Sequence, residues 1–518
     1  MKKIVLFAAF YLLSSSVSYS QDTWVRFFGE EYQYTFDHVF KSLAFDDSYI
    51  YFISSSSFPL NDPNYTDFSL KTIFYKVDMD GNLITKKYLA EGFNPYWYSA
   101  TNLKILSDGN LLFFGNYITK DGKYPHFVMK LSPEGEQLWV NHLPTYTGNG
   151  TISDMEELED GSIVLLGFGW NDILEHKAQI YKLSANGDIL WNKLVPNPSG
   201  FFSRSWEHSM VILPTTGDIL FTSQLFITGS NSHAYATVTK LDSVGNYIWD
   251  RPIYLQPREF SGTVMELLPD GNLVFAATID TSGLGIWPVY RKIAKLDTAA
   301  HIIWEFKGPV KGADEFWDVV VTHTGDILLC GQNFYGEPFD PNDTTKMPAG
   351  NILKLSSSGD VLWERFYTST DNIAGWSGPI TKLQLLPNGG ILAICDIPRF
   401  FYAGNDDVML MKLDSNGCLD NSCDTLNVLT EISDLPNIES SLSSVRFYPN
   451  PSSGLFYIDF PEGIEKPDIR IYNILGQLVK QYRQLTKNQP IELSKKGMYL
   501  ISIREKGKLI GSRTIVVE

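Results

Sequence analysis

Short apolar runs separated by polar, glycine-bearing breaks recur along most of this chain, as in Asn110-Leu111-Leu112-Phe113-Phe114-Gly115. Runs this short, bounded by Asp-Gly or similar pairs, read as strands joined by hairpin turns, because Gly accepts the positive φ of a tight turn. No stretch keeps a long 3.6-residue period, so a helical solenoid is excluded. Two kinds of turn alternate. One reads Lys-Leu-(Asp/Ser)-x-x-Gly-(Asn/Asp)-x-x-Trp, with its Lys at positions 76, 130, 182, 240, 295, 354 and 412. The turn Gly follows at 81, 135, 187, 245, 359 and 417, with Ala300 the exception, and the Trp at 139, 191, 249, 304 and 363. Thr85 and Asn421 stand where the first and last Trp are due. The other turn appears as Leu106-Ser107-Asp108-Gly109-Asn110 and returns around Gly161, Gly217, Gly271, Gly325 and Gly389.

A period this regular marks a repeat architecture. Two hairpins per unit give four strands, and four-stranded antiparallel sheets arranged radially are propeller blades. The chain therefore predicts an all-β fold: a seven-bladed β-propeller over residues 21–423, then a small Ig-like β-sandwich. The last Lys unit lacks its Trp strand, while an orphan Trp24-Val25-Arg26-Phe27-Phe28 matches Trp363-Glu364-Arg365-Phe366-Tyr367. The early strand is expected to complete the last sheet beside Leu413, closing the ring and removing an exposed edge. A Trp at a fixed place in each unit reads as a packing residue, and the Gly as a turn former. The signature resembles the tryptophan-docking repeats of quinoprotein-type propellers. Those enzymes carry a quinone cofactor; no counterpart of that site is visible here, so no cofactor is expected.

Residues 424–444 lack the repeat and read as a linker. Beyond them come Tyr448-Pro449-Asn450-Pro451-Ser452-Ser453-Gly454, then Tyr472-Asn473-Ile474-Leu475-Gly476-Gln477 and Gly497-Met498-Tyr499-Leu500, short alternating runs between turn residues. These three segments resemble the type A C-terminal sorting domain of the type IX secretion system, over residues 445–518. The resemblance implies recognition at the outer membrane by the secretion machinery, with Pro449, Asn450, Pro451, Gly454, Tyr472, Gly476, Gly497 and Tyr499 carrying the motif. At the other end, Lys2 and Lys3 precede an apolar run over residues 4–13. Small residues up to Ser20 then suggest a signal peptide over residues 1–20, cut between Ser20 and Gln21. The expected location is secreted or cell-surface, by way of the periplasm of a Gram-negative-type bacterium. No segment is long and apolar enough to span a membrane.

Composition refines this picture. The 518 residues carry a formal net charge of -17, which argues against a nucleic-acid partner. Residues 445–518 hold 12 Lys/Arg and 7 Asp/Glu, a net of +5, leaving -22 for the rest. Of the four Cys, Cys418 and Cys423 are close enough to form a disulfide in an oxidising compartment; Cys330 and Cys395 lie in apolar runs and read as buried. No metal-ligand set is apparent. The aspartates of Asp78-Met79-Asp80-Gly81 lack the remaining ligands of a calcium loop, so turn chemistry is their expected role.

The glycine turns are short and uniform, whereas the other connections are long and variable, notably residues 54–72, 197–205 and 333–350. Variable loops on a rigid scaffold are where function sits. Trp97, Trp206, Trp317 and Trp376 each precede an inner strand, with Glu207, His208, Asp314 and Asp318 beside them. Aromatic platforms flanked by carboxylates suit sugars, and these eight residues are the candidate ligand site. No catalytic constellation such as His-Glu-x-x-His or Gly-x-Ser-x-Gly occurs. The expected function is a non-enzymatic exported propeller that binds a glycan or a protein. The alternatives are a secreted carbohydrate-active enzyme using the channel face, with a carboxylate pair as acid and base, or a structural surface protein.

Overall fold

The structure, a computed structural model, describes residues 23–28, 36–38, 41–59, 68–89, 97–119, 122–146, 148–170, 176–197, 201–203, 209–227, 234–256, 263–280, 289–308, 315–334, 348–369, 378–397, 407–419, 426–429, 446–448, 452–460, 467–473, 478–486, 489–505 and 508–517. Among them every regular element is a strand. After β1 (Trp24–Phe28) and β2 (Phe36–His38) comes a first unit of β3 (Leu43–Phe45), β4 (Tyr49–Pro59), β5 (Phe68–Asp78) and β6 (Leu83–Leu89). The next units are β7 (Trp97–Ile105), β8 (Leu111–Ile118), β9 (His126–Leu131) and β10 (Gln137–Leu143), then β11 (Asn149–Glu157), β12 (Ile163–Trp170), β13 (His176–Leu183) and β14 (Ile189–Leu194). Past β15 (Phe201–Ser203) come β16 (Met210–Ile212), β17 (Ile219–Ile227), β18 (Ala234–Leu241) and β19 (Tyr247–Gln256), then β20 (Thr263–Leu267), β21 (Leu273–Asp280), β22 (Val289–Leu296) and β23 (Ile302–Lys307). The last are β24 (Glu315–Val321), β25 (Ile327–Phe334), β26 (Pro348–Leu355) and β27 (Val361–Ser369), then β28 (Ile380–Leu385), β29 (Ile391–Ile397) and β30 (Asp407–Leu413), joined by β1.

Each unit is an antiparallel sheet in chain order. The second strands are buried almost throughout, as in all but the end of β12, and β9 is buried along its whole length, because both faces are covered by neighbouring sheets. That explains why second strands such as β8 and β12 open on continuous apolar runs rather than alternating ones. The fourth strands are edges, and β14 and β23 alternate between exposed and half-buried positions. In the second unit Leu111 of β8 pairs with Leu131 of β9. The turn entering β8 and the turn leaving β9 therefore lie at the same end of the sheet. The connections from β8 to β9 and from β10 to β11 lie at the other.

The repeated residues are consumed by the scaffold. Lys130 meets Asp108 of its own sheet at 2.6 Å, Lys240 meets Asp218 at 2.7 Å and Lys354 meets Asp326 at 3.3 Å, so the Lys of one glycine turn braces the Asp of the other. Each Trp lies on the turn glycine of the next unit: Trp139 on Gly187, Trp191 on Gly245, Trp304 on Gly359 and Trp363 on Gly417. These glycines have φ between 73° and 91°, so a side chain there would suffer both backbone strain and collision with the indole. Ala300 takes the same conformation, φ 60°. A cation two residues after the Trp covers the indole, with Arg251 5.2 Å from the Trp249 ring centroid and Arg365 5.6 Å from that of Trp363. Asp78 accepts the backbone N–H groups of Asp80 and Asn82, which is turn chemistry.

The first strands touch in sequence: β3 with β7, β7 with β11, β11 with β16, β16 with β20, β20 with β24, β24 with β28, and β28 with β3. Contacts thus return to their starting point, a propeller-like arrangement around an axis. The return is made by β1, which pairs antiparallel with β30, Trp24 opposite Lys412 and Phe28 opposite Val408. Trp24 packs on Gly81 and donates its indole N–H to the Met79 carbonyl at 3.0 Å. One buried cluster accordingly unites Trp24 and Phe28 with Leu392, Leu410, Leu43, Phe52 and Tyr75.

Some expected boundaries shift. Residues 54–72 are mostly strand, since β4 and β5 pair out to Pro59 and Phe68; likewise β25 and β26 shorten the connection over 333–350. Within 197–205, β15 pairs with β13 and β17 and merges two units into one nine-stranded sheet. Inside the stretch read as linker, β31 (Leu426–Leu429) runs parallel along the outer edge of β27. The C-terminal region has two sheets. One is ordered β32 (Arg446–Tyr448), β33 (Leu455–Asp459), β36 (Ile491–Glu492). The other is β35 (Leu478–Tyr482), β34 (Asp468–Asn473), β37 (Gly497–Glu505), β38 (Lys508–Val517). Phe456, Ile458 and Ile491 of the first share a buried core with Ile469, Ile471, Ile501, Ile503 and Ile515 of the second.

Candidate functional site

Of the eight residues expected at a ligand site, Trp206, Glu207, His208, Asp314 and Trp376 lie outside the described residues. Trp97 does not precede its strand but opens β7, opposite Ile118. Trp317 lies inside β24, in a register shift between Phe316 and Asp318, with its indole nitrogen buried. Asp318 is buried as well. Its carboxylate takes Lys382 Nζ at 3.0 Å on one oxygen and the Leu383 N–H at 3.0 Å on the other. This residue ties β24 to β28 rather than facing a ligand. Cys418 is disulfide-bonded; Cys423 lies outside the described residues, as do Ser20 and Gln21. Cys330 and Cys395 are free and buried. Among the sorting-motif residues, Pro449, Asn450, Pro451 and Gly476 are outside the described set. Tyr472 lies on β34, and Gly497 opens β37. Gly454 has φ 105°, and a Cβ there would meet the Leu493 carbonyl. Tyr499 is buried and donates to the Lys495 carbonyl at 2.8 Å.

A different set of polar side chains gathers on the first strands. Register shifts recur there, at Ala100/Asn102, Ile152/Asp154, Phe316/Asp318 and Ile380/Lys382, and such bulges re-aim side chains. Lys104 of β7 lies 3.2 Å from Asp154 and 3.3 Å from Glu156, both on β11. Asp154 also accepts the Met210 N–H of β16 at 2.9 Å, the same clamp that Asp318 makes on β28. Burial opposes the Lys104 ammonium, but Asp154 and Glu156 outweigh it and hold its pKa above the usual lysine value. Burial likewise opposes the Asp154 carboxylate, yet Lys104 and the Met210 N–H hold it below the usual range.

Glu156 is shifted the other way, upward, by burial and by Asp154; its side chain keeps 39% exposure, so water offsets part of that push. Glu266 of β20 is the group set apart. Burial, with Glu156 and Asp154 adding repulsion, pushes its pKa up to about 7. Its carboxylate accepts the Leu267 N–H at 2.9 Å. The arrangement staples neighbouring first strands through opposite charges and leaves one carboxyl able to exchange a proton near neutrality. Lys104, Glu156 and Glu266 escaped sequence reasoning, although each stands five positions before a turn glycine, Gly109, Gly161 and Gly271. That shared offset was the signal.

Among the described residues, no group of three or more His, Cys, Asp or Glu side chains is placed to hold a metal ion. No helix there is long and apolar enough to cross a membrane.

Residues 446–518 match the family model of the secretion system C-terminal sorting domain. That domain, the type IX sorting module, marks the chain for export to the cell surface or beyond. No curated protein matches the chain. Solved structures resemble it only distantly. A polysaccharide lyase described as an ulvan lyase of a new family has a TM-score of 0.48 at 10% identity, over 75% of this chain and 96% of its own. The β-propeller domain of the trilobed protease from Pyrococcus furiosus has a TM-score of 0.37 at 9% identity, over 70% and 91%. A protein of unknown function from Bacteroides caccae has a TM-score of 0.34 at 13% identity, over 57% and 89%. Likenesses this distant assign nothing to this chain.

Proposed function

We propose that this is an exported binding protein. Residues 21–423 form a closed seven-bladed β-propeller that presents a glycan- or protein-binding face, and an Ig-like tail directs it through the outer membrane. The observation that carries the reading is the division of labour between the two ends of the sheets. The glycine-turn end is filled by Trp–Gly docking and Lys–Asp pairs. Recognition is left to the opposite end, where the connections vary in length. The return of first-strand contacts from β28 to β3 supports closure. Trp97, Trp206, Glu207, His208, Asp314, Trp317 and Trp376 stay candidates on that face; Asp318, whose carboxylate holds Lys382 and the Leu383 N–H, does not. The test is a screen of the secreted full chain against glycan and protein arrays, followed by Trp97→Ala and Trp376→Ala. Loss of a reproducible hit in either variant supports the reading. Capture unaffected by changes anywhere on that face refutes it.

A second reading keeps the carbohydrate-active enzyme: Glu266, on a first strand and hydrogen-bonded to the Leu267 N–H, holds a carboxyl able to exchange a proton near neutrality, as a general acid requires. If the chain is a carbohydrate-active enzyme, Glu266→Gln abolishes turnover of a polysaccharide while leaving its binding intact.

A further inference from the structure

We infer that a preformed sugar-binding platform lies between the second and third units, built from Tyr124, Tyr146, Trp170 and Lys177. The inference rests on the proposed binding role and assigns it a place that the sequence did not suggest. All four residues stand at the end of the sheets opposite the glycine turns. Tyr124 is in the connection from β8 to β9 and Tyr146 in that from β10 to β11; Trp170 ends β12, and Lys177 lies at the start of β13. The Tyr124 and Trp170 rings are 6.4 Å apart and tilted by 33°. Tyr146 rests on Gly169, the residue before Trp170, and its hydroxyl accepts Lys177 Nζ at 3.1 Å, with that ammonium 4.7 Å from the ring centroid. Tyr124 and Tyr146 remain 37% and 39% exposed.

The platform is held rigidly. The Tyr124 carbonyl accepts the Gly150 N–H at 2.6 Å, and the Tyr124 N–H donates to the Asn149 side chain at 3.0 Å. Beneath it the fully buried His126 bridges the Tyr181 hydroxyl at 2.7 Å and the Phe168 carbonyl at 3.0 Å. It occupies the space that a Cβ at Gly150 or Gly167 would need. Aromatic rings fixed before binding lose little conformational entropy when a ligand arrives.

The chemistry of the patch selects its occupant. A pyranose offers an apolar C–H face to stack on an aromatic ring and hydroxyls around its edge; Tyr and Trp combine an apolar body with a polar tip, and Lys177 supplies donors beside them. A protein partner is matched by aromatic and aliphatic surface together. Among the described residues, exposed aliphatic side chains such as Leu138, Leu190, Ile303 and Leu362 lie instead on the fourth strands, beside the glycine turns.

The secreted full chain would be titrated with laminarihexaose, a neutral glucan, and with hexagalacturonate, a polyuronate, by calorimetry and tryptophan fluorescence. At least one should bind. Trp170→Ala and Tyr146→Ala should each weaken it tenfold or more, Trp170→Phe should retain most of the affinity, and melting temperatures should stay near wild type. If neither sugar binds, the platform is not a glycan site, whatever protein other parts of the same face capture. If a sugar binds and both alanine variants leave affinity unchanged while Trp97→Ala abolishes it, the binding role survives and this location is wrong.

Discussion

Glu266 and His126 oppose each other across the pH scale. The Glu266 carboxyl titrates near 4.5 when unfolded and about 7 when folded. Below pH 4.5 it is protonated in both states and costs nothing. As pH rises toward 7 the folded state retains a proton that the unfolded state gives up, and stability falls. Burial drops His126 to about 4 from an ordinary 6.5, so its contribution is lost as pH falls through that window. Glu266→Gln should therefore leave stability unchanged at pH 4.5 and raise it by about 1–3 kcal/mol at pH 8, one pKa unit being worth about 1.4 kcal/mol. Denaturant unfolding at the two pH values checks this; parallel curves for the two proteins would contradict it. Glu266 was hard to see in the sequence for a physical reason. Burial raises its pKa most, and both the burial and the repulsion added by Glu156 and Asp154, more than a hundred residues earlier on β11, come from the folded packing rather than from its sequence neighbours. The turn Gly and docking Trp were plain because each does the same local job in successive units, leaving the same letter at the same offset.

Strand existence was equally plain, since two-faced burial gives second strands such as β8 and β12 an unbroken apolar start. Strand ends were less so: β4 continues through Ser55, Ser56 and Ser57, a run with no strand signature, because it pairs there with Thr72, Lys71 and Leu70 of β5, so pairing rather than composition sets the limit. The element with most at stake is β1. Its Trp24 meets Gly81, Met79 and the cluster containing Phe52 and Leu410. Trp24→Ala should cost about 3–5 kcal/mol, the range for removing a buried aromatic side chain. It should also release β1 to proteolysis before the other strands. A midpoint shift below 1 kcal/mol, with β1 still protected in hydrogen exchange, would mean that this strand does not hold the sheets together.

For the whole molecule, the sorting domain makes a direct prediction. Without residues 446–518 the chain should accumulate in the periplasm, whereas the full chain reaches the surface or the medium; fractionation and immunoblotting measure the split, and equal export of both forms would remove the assigned role. The pairing of Trp24 with Lys412 also imposes an order of events. β1 has no berth until β30 follows, nearly four hundred residues later. Until then its backbone N–H and C=O groups form an unclaimed edge. The last sheet of the repeats can therefore zip shut only once the chain has been made up to the threshold of the sorting domain, so the address is written just after the cargo can close.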